Sequence, residues 1–147
     1  MQKLLLFLCM SLLFVGCEVT NENEPDNNPS WAVRTYSIKS NQWTHVGQVN
    51  APGSYYMCEF NENALTPFVC NSGIVVGYIY TKVSSTSVAQ NPLPYIIYDM
   101  TDDAQQSWSI KYSFDYMPGS IAFYCHYNDF ITEYTPGDCE FRVTMIW

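Results

Sequence analysis

SWSIKYSFDY, residues 107–116, sets Trp108, Ile110, Tyr112, Phe114 and Tyr116 between Ser107, Ser109, Lys111, Ser113 and Asp115. Successive side chains of a β-strand point to opposite faces, whereas a helix would scatter this pattern around its circumference. The stretch therefore reads as a half-buried strand with an aromatic face inward and a polar face in water. On that parity Trp108, Tyr112 and Tyr116 belong to the core.

The same period recurs toward the C-terminus. In CEFRVTMIW (139–147), Cys139, Phe141, Val143, Met145 and Trp147 oppose Glu140, Arg142 and Thr144; in SIAFYCHYN (120–128), Ile121, Phe123, Cys125 and Tyr127 oppose Ala122, Tyr124 and His126. Further strands are expected near 33–39, 43–49, 54–60, 67–71, 74–82 and 95–99, between turn signals such as NAPGS, NSG and MPGS. GIVVGYIYTK (73–82) is apolar on both faces and reads as a central strand, covered on two sides or displaying tyrosine. Pro92 and Pro94 confine their segment to an edge or a strand start, because proline cannot donate to the ladder. Eight or nine short strands in one domain predict an all-β fold. The expected architecture is an antiparallel β-sandwich, immunoglobulin-like or jelly-roll-like, with a β-barrel as the alternative.

The N-terminus has a different grammar. Met1–Lys3 carries one positive charge, and Leu4–Val15 is apolar apart from Ser11. This run is too short for a membrane-spanning helix, which needs about 20 residues, but it suits the centre of a signal peptide. Phe14-Val15-Gly16-Cys17 resembles the bacterial lipobox, with Phe14 where that family usually has Leu. The resemblance implies that residues 1–16 are removed and that Cys17 carries the lipid; an ordinary secretory signal is the alternative. Two or more acyl chains would hold the protein stably on a membrane. Residues 17–29 hold Glu18, Glu22, Glu24 and Asp26, four Asn, two Pro and one apolar residue after the cysteine, Val19. Such a segment has nothing to bury and reads as a disordered tether.

Residues 30–147 remain as one domain, with five basic against ten acidic residues, a formal charge of −5. That balance repels phosphate backbones and argues against nucleic acid as a partner. Four cysteines remain, Cys58, Cys70, Cys125 and Cys139, with no short C-x2–4-C knuckle for zinc. In an oxidising compartment disulfides are the first expectation and buried thiols the second. If the strands bearing Cys125 and Cys139 pair with each other, those two would be linked, leaving Cys58 with Cys70.

Catalytic chemistry is hard to assemble from these residues. Cys125 and His126 are adjacent, but neighbours on a strand point apart. His45 has no second histidine or carboxylate nearby in sequence. Asp99, Asp102 and Asp103 gather in YDMTDD without the alternating ligands and turn glycine of an EF-hand loop, so a solvated loop is favoured over a calcium site. No metal or cofactor is expected. The chain carries twelve Tyr and four Trp. Rings of opposite parity to the core, notably Tyr55 and Tyr124, are the candidate ligand-binding residues, although a packing role is the more ordinary one.

Taken with the lipobox and acidic tether, LPY (93–95), GSIAFY (119–124) and the closing FRVTMIW (141–147) resemble small Bacteroidetes lipoproteins with a single all-β domain. The resemblance implies an outer-membrane lipoprotein, and the acidic tail resembles those of surface-exposed members; it supplies no activity and no site residues. The expectation is a non-catalytic binding or interaction module with a protein partner. Glycan binding through exposed Tyr or Trp is the alternative, favoured by a row of aromatics on one outer face, and a small hydrolase is a third.

Overall fold

The computed structural model describes residues 29–100 and 105–147. The signal segment, Cys17, the tether up to residue 28, Asp102 and Asp103 lie outside the described residues. Nine strands form two antiparallel sheets: β1 (Trp31–Ile38), β2 (Thr44–Val46), β3 (Tyr55–Glu62), β4 (Ile74–Lys82), β5 (Val88–Pro92), β6 (Tyr95–Met100), β7 (Ser107–Met117), β8 (Gly119–Tyr127) and β9 (Cys139–Ile146). One sheet runs β1-β9-β4-β5 and the other β2-β3-β8-β7-β6. No strand pairing joins the two sheets among the described residues, so the fold is a sandwich and not a closed barrel.

The expected 67–71 strand is instead a six-residue helix, α1 (Pro67–Ser72). Its start is encoded locally: the Thr66 side chain accepts from the Val69 amide, and Pro67 occupies the first turn, where a missing N–H costs nothing. β5 forms outside the strands expected from the sequence, because VAQNP (88–92) has little apolar content to alternate. Both prolines sit where their chemistry allows. Pro92 closes edge strand β5, and Pro94 precedes edge strand β6. Tyr78 and Tyr80 of β4 point away from the core, while Gly77 and Ile79, which alternate with them, are buried.

The core forms where the inward faces of β8 and β9 meet. Phe123 of β8 and Phe141 of β9 are both fully buried and stack across the two sheets, with centroids 4.4 Å apart and planes at 21°. Tyr36 of β1 reaches across in the same way, tilting on Phe60 at 5.1 Å and Phe123 at 5.2 Å. Its hydroxyl donates to buried Glu62 Oε2 at 2.7 Å; the same oxygen lies 3.4 Å from Arg34 Nε, and Glu62 Oε1 accepts from the Ala64 amide at 3.0 Å. The carboxylate thus satisfies both sheets at one edge of the sandwich. β4 packs closely here: a Cβ on Gly77 would come within 2.6 Å of the Phe114 ring.

Candidate functional site

Alternation sends Tyr55 of β3, Tyr124 and His126 of β8, and Lys111, Ser113 and Asp115 of β7 to the outer face of the five-stranded sheet. Pairing then brings them together, because Tyr124 lies opposite Ser113 and His126 opposite Lys111. Tyr55 stacks on His126 at 5.0 Å and 20°, and Tyr124 tilts against both, 5.9 Å from Tyr55 and 6.2 Å from His126. The rings, with Ser113 and Asp115, border a shallow depression of about 410 Å³.

The polar groups of this face are held in place. Tyr124 donates its hydroxyl to Asp115, lying 3.0 and 2.9 Å from the two carboxylate oxygens. Partial burial and that carboxylate push the phenol up to about 12, so it stays a neutral donor. Burial and the nearby Lys111 ammonium lower the pKa of His126, keeping its ring neutral. His126 Nδ1 is buried and has no hydrogen-bond partner among the described residues, a cost a ligand or ordered water would relieve.

The structure therefore gathers Tyr55 and Tyr124, the two residues singled out from the sequence, and adds His126 and Asp115, whose convergence depends on register. Cys125 lies on the opposite face of β8, fully buried, so it and His126 diverge.

The cysteines depart from expectation. Cys58, Cys70, Cys125 and Cys139 are all free thiols. The pairing argued for Cys125 and Cys139 required β8 and β9 to be neighbours, but these strands belong to opposite sheets. Cys125 is instead fully buried in the core and Cys139 packs against that core, with Cys139 Sγ donating to Gly137 O at 3.5 Å. Burial pushes the Cys125 thiol up to about 12, which keeps it protonated. Cys58 sits on β3 and Cys70 on α1, likewise unbonded.

His45 has a structural role in a polar cluster around buried Thr132. Thr132 Oγ1 is 2.9 Å from His45 Nε2, accepts from the Asn50 amide at 3.2 Å and donates to Ser54 Oγ at 3.1 Å. The Thr132 amide donates to Asn50 Oδ1 at 2.9 Å, and its carbonyl accepts from the Tyr56 hydroxyl at 2.6 Å. This cluster pins the 128–138 connection to the β2–β3 turn.

That connection walls a second concavity. Along β8, Ile121, Phe123 and Cys125 are fully covered but Tyr127 is only half-buried, and along β7 coverage falls from Tyr112 to Ile110 and Trp108. The inward face of the sheet is thus open at this end. The result is a cleft of about 410 Å³ floored by Trp108, Ile110 and Tyr127, walled by Ile131 and Tyr134, and edged by Asp99 and Asp129. Parity puts Trp108 in the core; it faces inward as expected but lines this cleft instead of being enclosed.

Asp99 lies in β6 and not in a loop. Among the described residues no three His, Cys, Asp or Glu side chains converge to hold a metal ion, and no helix is long and apolar enough to cross a membrane. No protein-family model matches the chain, and no curated protein or solved structure matches it significantly.

Proposed function

We propose that the protein is a lipid-anchored, non-catalytic binding module of the outer membrane, resembling small Bacteroidetes lipoproteins, and that it binds carbohydrate on the outer face of its five-stranded sheet. The observation that carries the reading is the cluster of Tyr55, Tyr124 and His126 rings beside Asp115 and Ser113. Sugar rings present apolar C–H faces edged by hydroxyls. Aromatic faces accept the first, and a fixed carboxylate and hydroxyls accept the second. A rigid sheet holds these groups without ordering a loop, so little conformational entropy is lost on binding. The test is a glycan and polysaccharide binding screen of the purified protein, read beside Tyr55→Ala and Tyr124→Ala.

A protein partner remains the second reading, and a different surface favours it. On the outer face of the four-stranded sheet, Ile146 pairs with Trp31 on one side and Ile74 on the other. Trp31 is 70% and Ile74 61% exposed, an apolar rung of the kind that anchors interfaces. Cross-linking from an Ile74→Cys variant in intact membranes would identify such a partner; an absence of cross-linked species would count against it.

A further inference from the structure

We propose that the cleft between β7 and the 128–138 connection binds the ammonium group of a small organic cation. This is independent of the carbohydrate reading, since the cleft lies on the inward side of the sheet whose outer side carries the Tyr55 cluster.

The cleft combines two features that suit one kind of ligand. Trp108, Tyr127 and Tyr134 line it with aromatic surface, and the negative faces of such rings attract cations. Asp99 and Asp129 add two carboxylates, and none of the described lining residues is basic. Asp99 is the cross-strand partner of Trp108, and Tyr127 that of Ile110, so strand register fixes one carboxylate and two rings. Asp99 accepts from the Met100 amide and Asp129 from the Ile131 amide, and among the described residues neither is in an ion pair.

A neutral ligand would satisfy hydrogen bonds here but leave two negative charges uncompensated as water is expelled. A ligand with a positive head and an apolar body compensates them and fills the aromatic surface. Tyr134, 72% exposed, stands at the mouth where such a body would enter. An inorganic cation is a poorer match, because most of the lining offers carbon and not oxygen.

The test compares charged and neutral probes of matched shape on the full chain, by calorimetry or by the Trp108 indole resonance. Choline is set against 3,3-dimethylbutan-1-ol, butylammonium against butan-1-ol, and glucosamine against glucose. The expected result is that at least one cation binds about tenfold or more tightly than its neutral partner. Asp99→Asn with Asp129→Asn should abolish that preference, and Tyr134→Ala, at an exposed position, should weaken cation binding while leaving the fold intact. Tyr55→Ala should leave it unchanged. Which cation binds best separates a quaternary headgroup, an alkylamine and an amino sugar as the source. Equal affinity for charged and neutral partners, or no binding of any of the three cations, overturns the proposal.

Discussion

Tyr55 and His126 stack nearly parallel on the outer face of the sheet, with ring centroids 5.0 Å apart and planes at 20°. Burial and the neighbouring Lys111 lower the pKa of this histidine, and its Nδ1 is buried without a hydrogen-bond partner among the described residues.

The lowered pKa of His126 has a signed consequence for stability. Folded His126 binds its proton less readily than the unfolded chain, whose value is near 6.5. Below that value the unfolded state holds more protons, so stability is full at neutral pH and declines as the pH falls. Urea denaturation at about pH 5 and about pH 8 should show this decline in the wild type and a smaller one in His126→Gln. An equal decline in both would remove His126 as its source.

Glu62 ties β1 to β3 through Tyr36, Arg34 and the Ala64 amide. Glu62→Ala strands the Tyr36 hydroxyl and that amide, and the expected loss is about 2–3 kcal/mol, read as a lower denaturation midpoint with an unchanged m-value. Glu62→Gln keeps two of the contacts and should lose less.

Gly77 faces the Phe114 ring with no room for a methyl group. Gly77→Ala should therefore destabilise the domain by about 1–3 kcal/mol through overpacking. A neutral effect would mean that Phe114 can move aside at no cost.

Because Cys125 is enclosed and its thiol is pushed up to about 12, it should resist alkylation in the native protein at neutral pH. Alkylation under denaturing, non-reducing conditions, followed by mass spectrometry, should label Cys58, Cys70, Cys125 and Cys139. Failure to label them as thiols would contradict the free state seen here.

Much of the fold was legible because period-two alternation is a local signal: SWSIKYSFDY and CEFRVTMIW became β7 and β9 with the expected faces inward. Sheet membership was not legible. β8 and β9 are consecutive and both apolar on one face, yet they belong to opposite sheets, and this undid the cysteine pairing. The helix at Pro67–Ser72 is too short to show a period, and only the Thr66-Pro67 start marked it. At the candidate site, parity placed Tyr55 and Tyr124 outside, but their meeting with His126 and Asp115 depends on the registers of three strands. The Trp108 cleft was hidden for a related reason: parity says which way a side chain points, not whether the opposite sheet reaches far enough to cover it.

The most direct test of the account is saturable binding of the purified protein to a broad panel of glycans and polysaccharides, with Tyr55→Ala and Tyr124→Ala measured alongside. The expected result is binding to at least one glycan, weakened about tenfold or more by either substitution, with both variants still folded. No saturable binding across the panel, or binding that neither substitution alters, would contradict the carbohydrate reading and shift attention to the Trp31–Ile146 surface.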